Sequence, residues 1–311
     1  MNKIVCLLSF LAFTLKGFSQ LADSCKPHYL LPIKELRLTN GKLAYIEAGK
    51  GKTIIFIHGL GGSIRHWEKS IINLSDRFHC IAIDLPGYGA SDTLVEKTAD
   101  ILQAYAKQIF ELLQAKNINR FCIAGHSMGG QLAIIMALQQ PQNIEKLMLL
   151  APAGLETFTQ KEGDILKQAT TFTALLNQSK QQISATYFRN FFQLNTDAEK
   201  IIYERQQKKD CSNYPIYCQA ISDGVKGMLF HKVADSIHAL KMPVLLVFGK
   251  NDQLIPNPYL HPSLQKEQLI NEAQNKIPNC KTIWLPAAGH LLQVEKNEEI
   301  NQQIHDFLTK N

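Results

Sequence analysis

Several patterns that mark specialised proteins are missing from this sequence. It has no run rich in lysine and arginine and no basic patch interleaved with aromatic residues, so nothing indicates a nucleic-acid partner. No Cys-x-x-Cys pair and no histidine spacing typical of a metal site occurs, and we expect no metal. Sequence repeats and low-complexity linkers are also missing. The chain has 311 residues, 45% hydrophobic, which is enough for one large domain or two small ones.

The apolar run at the N-terminus is too short to be a lasting membrane anchor. It covers residues 4–15, follows Lys3, and does not reach the length needed to span a bilayer. Gly17 and Ser19 are small residues two positions apart, as a signal peptidase site prefers. We therefore predict that residues 1–19 form a signal peptide and that the protein is exported, either periplasmic or secreted. A buried first helix is the alternative interpretation.

Cysteine usage gives a second indication of the compartment. Loss of the predicted signal peptide would remove two lysines and no acid from a chain of net charge +6, and would leave six cysteines. These are Cys25, Cys80, Cys122, Cys211, Cys218 and Cys280. An even number suits an oxidising compartment, although Cys80 and Cys122 lie in apolar strand-like runs, where cysteine is usually a small buried hydrophobe. We predict Cys211 and Cys218 as the plausible local pair, and do not favour a lipid anchor on Cys25.

The most informative stretch is Gly125-His126-Ser127-Met128-Gly129. A short apolar run, residues 121–124, precedes it, and residues 131–140 follow with mostly helical apolar spacing. The stretch matches Gly-x-Ser-x-Gly, in which a serine stands on a tight turn between a buried strand and a helix with its hydroxyl exposed. The same five-residue pattern also occurs as a plain glycine-rich turn. The predicted strand and helix on either side favour Ser127 as a nucleophile.

Strand-like and helix-like segments alternate along most of the chain. Residues 35–38 and 43–47 are joined by a turn containing Asn40-Gly41, which predicts an antiparallel hairpin. Further strands are predicted at 53–57, 80–84, 121–124, 146–150, 244–248 and 282–286, and helices at 64–74, 98–115, 131–140 and 297–308. This alternation predicts an α/β fold, with a largely parallel sheet covered by helices on both faces. Ligands in such sheets bind at the carboxyl ends of the strands.

Two loops at those strand ends complete a resemblance to a known family. His58-Gly59-Leu60-Gly61-Gly62 follows the third strand, and Asp84-Leu85-Pro86-Gly87-Tyr88-Gly89-Ala90-Ser91-Asp92 follows the fourth. Together with the serine motif, they make the sequence from about Ile33 to Leu308 resemble the α/β-hydrolase family. The resemblance implies an α/β-hydrolase fold built on a mostly parallel eight-stranded sheet.

The middle of the chain departs from the alternation. Residues 155–232 are mainly helical in pattern and include an aromatic cluster, which we expect to pack within the segment more readily than to line a pocket: Tyr187, Phe188, Phe191 and Phe192. Members of the resembled family often carry a helical cap after the sixth strand. The resemblance therefore implies a core made of residues 20–154 and 233–311, with residues 155–232 as the cap.

The resemblance also assigns a catalytic triad to Ser127, Asp252 and His290. Asp252 stands in a Gly-x-x-Asp-x-x-x-Pro setting after a buried strand, and His290 follows a glycine after the final strand. The order serine, acid, histidine is that of the fold. Glu156, just past the sixth strand, is the competing acid.

The same resemblance identifies an oxyanion hole. Its two donors would be the backbone N–H groups of Leu60, in the loop after the third strand, and of Met128, the residue after the nucleophile. His58 is a possible alternative base, but the resemblance makes it a structural histidine that orders its own loop.

These assignments predict a serine hydrolase that cleaves a carboxylic ester through an acyl-enzyme and needs no cofactor. The expected partner is a small acyl substrate, and no stable membrane span is expected once the signal peptide is gone. A carbon-carbon bond hydrolase or an amidase or peptidase could use the same triad, although carbon-carbon hydrolases typically carry asparagine where His126 stands. A binding protein that has lost catalysis is the remaining alternative.

Overall fold

The computed structural model describes Cys25 and residues 27–309, so the predicted signal peptide lies outside the described residues. Its strands are β1 (Lys34–Leu38), β2 (Gly41–Ala48), β3 (Thr53–Ile57), β4 (His79–Ile83), β5 (Phe121–His126), β6 (Ile144–Leu150), β7 (Val244–Gly249) and β8 (Cys280–Leu285). They form one eight-stranded sheet in the order β1-β2-β4-β3-β5-β6-β7-β8. Strand β2 is antiparallel to both β1 and β4, and the other neighbours are parallel. The predicted sheet is confirmed.

The helices pack around this sheet. They are α1 (Glu68–Leu74), α2 (Ile101–Ala115), α3 (Met128–Gln139), α4 (Gln160–Ala169), α5 (Phe172–Leu176), α6 (Lys180–Phe188), α7 (Thr196–Gln207), α8 (Tyr214–Phe230), α9 (Lys266–Lys276), α10 (Leu292–Glu295) and α11 (Asn297–Thr309). Every residue of β3, β5 and β7 is buried, as expected for parallel strands that helices cover on both faces. No helix among the described residues is both long and apolar enough to cross a membrane.

The first two strands form the hairpin that the Asn-Gly turn predicted. Leu38 pairs with Gly41, and Gly41 has a φ of +116°, a value that glycine adopts without strain. Helices α4 to α8 all lie between β6 and β7, so the chain leaves the sheet at one strand end and returns to the neighbouring strand. This helical segment, residues 155–232, therefore stands next to the carboxyl ends of the central strands.

The predicted disulfide between Cys211 and Cys218 was wrong. Cys211 is bonded instead to Cys25, which is 186 residues away in sequence, and their Cα atoms are 5.4 Å apart. Cys218 is a free thiol buried on α8, whereas Cys211 lies just before that helix and is partly exposed. Because α8 begins at Tyr214, its winding directs Cys218 into the core and leaves Cys211 for the N-terminal segment. Cys80 and Cys122 are free and buried, as predicted.

Candidate active site

Ser127 stands on a sharp turn between β5 and α3. Its φ of 53° lies in the left-handed region, which is rare for a residue with a side chain and is sustained only by tight surroundings. Two glycines allow this approach. A Cβ on Gly125 would lie 2.4 Å from the carbonyl oxygen of Gly129, and a Cβ on Gly129 would lie 2.4 Å from that of Ile57. The turn therefore requires glycine at both positions of the motif and leaves Ser127 partly exposed.

Asp252 and His290 form a buried pair. The Nδ1 atom of His290 lies 2.8 Å from Oδ2 of Asp252, while Oδ1 accepts a hydrogen bond from the backbone N–H of Leu254 at 2.8 Å. Burial opposes ionisation of Asp252, but the His290 ring and these hydrogen bonds together lower the pKa of the carboxyl below its ordinary value. An ionised carboxylate only accepts hydrogen bonds, so Nδ1 carries the proton and Nε2 is left as the acceptor.

The serine and the histidine border one cavity of about 600 Å³. Leu60 lines the same cavity, and Met128 is the first residue of α3, where a backbone N–H has no acceptor within the helix. The loop that holds Leu60 is closed by a hydrogen bond from the N–H of Gly62 to the carbonyl of Gly59, at 3.0 Å. Three of the five residues assigned from the sequence thus line the cavity, while Met128 directly follows Ser127 and Asp252 lies behind His290.

The two competing assignments have other partners. His58 accepts a hydrogen bond at Nε2 from the N–H of Leu85 and donates from Nδ1 to the carbonyl of Gly59, and burial lowers its pKa to about 4. Both ring nitrogens are occupied, so His58 has no free atom for a proton from Ser127. The carboxylate of Glu156 accepts from the N–H of Asn257 and from the His261 ring.

A buried aspartate holds together the Leu60 loop, which lines the cavity, and the loop after β4. Asp84 accepts hydrogen bonds from the N–H groups of Ile64 and Ala90, each at 2.8 Å, and from the hydroxyl of Tyr29. Burial raises the pKa of Asp84 to about 6, against the effect of these donors. Ile64 belongs to the turn after the Leu60 loop, and Ala90 belongs to the loop after β4, so one side chain holds both loops.

The loop that carries His290 is bonded to the helical segment. The backbone N–H groups of His290 and Leu291 both donate to the carbonyl of Asn190, at 2.8 and 2.9 Å. The carboxylate of Glu295 accepts from the N–H of Gly289 at 2.7 Å and from that of Gln193 at 2.6 Å. The sequence does not reveal these roles of Asn190 and Glu295, because the bonds that join the helical segment to this loop span about a hundred positions and have no local pattern.

His126 is a further neighbour that the motif does not reveal. Its Nε2 donates to the carbonyl of His290 at 2.9 Å, and the two rings lie 4.8 Å apart. Burial lowers the pKa of His126 well below its ordinary value, so the ring is neutral. His126 therefore helps to fix the backbone of the proposed base through this hydrogen bond.

The fold and this arrangement define the class of protein. A model of the family described as alpha/beta hydrolase fold matches residues 52–297, which is more than half of the sequence, so the chain belongs to the α/β-hydrolase family.

Individual relatives are similar over most of the chain. The chain is 28% identical over 278 residues to the dihydrolipoyllysine-residue acetyltransferase component of the acetoin cleaving system of Pseudomonas putida, over 86% of this chain and 67% of the relative. It is also 28% identical over 280 residues to Lipase 1 of Psychrobacter immobilis, over 86% of this chain and 81% of the relative. The crystal structure of a probable hydrolytic enzyme from Pseudomonas aeruginosa PAO1 matches with a TM-score of 0.82 and 23% identity, over 91% of this chain and 96% of that one.

Proposed function

We propose that the protein is a serine hydrolase that cleaves carboxylic esters through an acyl-enzyme. One observation carries the proposal: Ser127, on its strained turn, opens into the same cavity as His290, whose Nδ1 is bonded to Asp252 at 2.8 Å. The similarity to a protein named Lipase 1 supports an ester as the substrate class. Ester hydrolysis needs a nucleophile, a base and donors for the oxyanion, and the cavity brings candidates for all three together.

The reaction would proceed in two symmetrical halves. His290 accepts the proton of Ser127 at Nε2 while the serine oxygen attacks the ester carbonyl, and Asp252 stabilises the imidazolium. The N–H groups of Leu60 and Met128 stabilise the negative charge on the carbonyl oxygen, each donor contributing about 3 kcal/mol. The proton passes to the leaving alcohol, and an acyl group remains on Ser127. Water then attacks this acyl group and gives its proton to His290, which returns that proton to the Ser127 oxygen as the acid is released.

The helical segment 155–232 would act as a cap in this proposal. Its buried apolar side chains form much of the cavity wall opposite the strand ends: Leu175, Ile183, Ile221 and Val225. A wall of this kind suits the hydrocarbon part of an ester and keeps water away from the acyl-enzyme.

A covalent probe tests the proposal directly. A fluorophosphonate should label Ser127 in the wild-type protein, and Ser127→Ala should abolish both labelling and hydrolysis of p-nitrophenyl esters, with a loss of more than ~1,000-fold. Ser184→Ala is a matched control, because Ser184 is buried, its hydroxyl has no hydrogen-bond partner among the described residues, and it is not part of the cavity wall. Folded protein that is not labelled would refute the nucleophile. Amide and meta-cleavage substrates tested beside the esters identify the bond that is cleaved.

We also propose that the protein acts outside the cytosol. The N-terminal apolar run motivates this, and the disulfide between Cys25 and Cys211 supports it, because such bonds persist in oxidising compartments. Protein from a secretion-competent host should begin at or near Gln20, with the bridge intact, as mass spectrometry would establish. Residues 1–19 still attached to protein from such a host would overturn the export proposal.

A further inference from the structure

An arginine with no carboxylate partner lies in the wall of the cavity that contains Ser127. Arg205 stands in the last turn of α7, and its Nη1 donates to the carbonyl oxygen of Gly61 at 3.0 Å. Its guanidinium carbon lies 4.1 Å from the centroid of the Tyr217 ring and 5.4 Å from that of Tyr187. Within the part of the chain that the structure describes, Arg205 forms no ion pair with an aspartate or a glutamate.

The acidic side chains near Arg205 form ion pairs with another arginine. Glu204, its neighbour in sequence, pairs with Arg65 at 3.0 Å, and Arg65 also pairs with Glu68. The Nζ atom of a second cation, Lys208, lies 5.1 Å from the centroid of the Tyr217 ring, which Arg205 also contacts. Removing a cation from water without a counterion is costly, and burial accordingly lowers the pKa of Arg205. The guanidinium of Arg205 therefore lines the cavity as a buried cation that has no carboxylate partner among the described residues.

The rest of the described cavity wall carries little negative charge. Among the described residues, Glu156 is the only acid in its wall, and that carboxylate is occupied by His261 and Asn257. The other arginine in the wall, Arg189, lies 5.0 Å from the Tyr259 ring and donates to the carbonyl of Gln253. The remaining wall is largely apolar. A ligand with an apolar body and one negative group matches this distribution.

We propose that Arg205 binds a carboxylate on the substrate, so that the enzyme acts on esters that carry a negative charge close to the cleaved bond. This inference rests on the proposed ester hydrolysis. Arg205 is bonded to Gly61, and Gly61 directly follows Leu60, the proposed oxyanion donor. The guanidinium is therefore bonded to the residue next to the proposed oxyanion donor and lines the same cavity as Ser127. Arginine suits this task because its planar donors match the two oxygens of a carboxylate.

Two matched pairs of esters test the inference. Ethyl hydrogen glutarate and ethyl pentanoate differ by a carboxylate on the acyl side, and 4-carboxyphenyl butanoate and 4-carbamoylphenyl butanoate differ by one on the alcohol side. We expect wild-type kcat/KM to favour the charged member of at least one pair. Arg205→Gln should reduce that preference, measured as the ratio of the two kcat/KM values, by ~10-fold to ~100-fold, the range of a charged hydrogen bond. Arg205→Lys should retain part of the preference.

Arg189→Gln is the control, because it removes the other positive charge from the same cavity wall. It should leave the preference in place. The inference is overturned if wild-type protein prefers the neutral ester in both pairs, if Arg205→Gln slows both members equally, or if only Arg189→Gln removes the preference. A merely structural role for Arg205 would lower both rates together. Failure of the proposed function is a separate result, since it appears as unlabelled Ser127 and no hydrolysis of any of the four esters.

Discussion

At the scale of single residues, burial keeps two of the three histidines in the described cavity wall neutral. Burial lowers the pKa of His66 to about 3 and lowers that of His126 well below its ordinary value, so both stay neutral in mildly acidic solution. Asp252 stays ionised, since its pKa lies below the ordinary value. In the proposed mechanism, protonation of His290 would stop the reaction, because a protonated ring cannot accept the proton of Ser127.

This gives a prediction for the pH profile. On a neutral ester, kcat/KM should fall as the pH is lowered through the mildly acidic range, with a limiting slope of one on a logarithmic plot. The measurement is a set of initial rates across that range on protein shown by circular dichroism to remain folded. A flat profile would count against His290 as the base, and a slope of two would mean that a second group in the cavity titrates with it.

A second residue-scale prediction concerns Glu295, which is bonded to the loop that carries His290 (the base loop, residues 286–291) but does not line the cavity. Glu295→Ala removes the acceptor of the Gly289 and Gln193 N–H groups, and we expect kcat to fall by ~10-fold with KM nearly unchanged, since a small displacement of a catalytic group is costly. Glu299→Ala is the control, because Glu299 is an exposed acid that faces Lys296. Equal effects of the two substitutions on kcat would remove the positioning role.

At the scale of elements, the strands were more predictable than the helix ends and the disulfide. The pattern placed a helix start at Thr98, but α2 begins after Asp100, whose side chain accepts a hydrogen bond from the N–H of Gln103 and caps the helix. Helix α9 carries only three buried residues among polar ones, too few for a clear pattern. The bond between Cys25 and Cys211 depends on how the N-terminal segment crosses the fold, which local spacing does not encode.

That disulfide leads to a stability prediction. Its loop is long, so reduction or Cys211→Ser should release much conformational entropy in the unfolded chain and lower the free energy of unfolding by about 2–4 kcal/mol. Cys25→Ser should cost the same, and the double substitution no more than either single one, because all three remove one bond. Urea unfolding of the four proteins measures this, with ester hydrolysis as the check that the fold is kept. Additive losses would contradict a shared bond.

At the scale of the whole molecule, the sheet and the proposed triad could be predicted because each rests on a local pattern at a strand end. Ser127, Asp252 and His290 lie one, three and five residues past the ends of β5, β7 and β8, and parallel strands bring such positions to one edge. Arg205 could not be predicted in this way. It lies on a polar helix, and its contact with Gly61 spans 144 residues of sequence. Only the path of the helical segment places it there.

Buried neutral histidines also predict how the whole fold responds to acid. Burial lowers the pKa of His58 to about 4 and that of His66 to about 3, so the unfolded chain binds more protons than the folded one below about pH 6.5. The free energy of unfolding should therefore fall as the pH drops from about 6.5 toward 4, by about 1.4 kcal/mol per pH unit for each such histidine. Asp84 acts in the opposite direction, because its pKa is raised to about 6 and it takes up a proton in the fold.

Unfolding in urea at about pH 7 and about pH 5 measures this dependence. His66→Gln should reduce the loss of stability between the two conditions, because the substituted side chain has no proton to bind. The exposed His238 provides the control, and His238→Gln should leave the difference unchanged. An unaltered difference in His66→Gln would show that His66 is not among the groups responsible.

The carbonyl of Asn190 accepts two N–H groups from the loop that carries His290, and Gly289 has no room for a side chain against the same backbone. A change in the backbone of the helical segment at Asn190 should therefore displace the loop that carries His290. In a chimera that receives this segment from another family member, both the cavity wall and the position of His290, the proposed base, should change. Substrate range could not be transplanted by exchanging residues 155–232 alone. Such grafts should succeed only when the Gly289 to Glu295 loop travels with them.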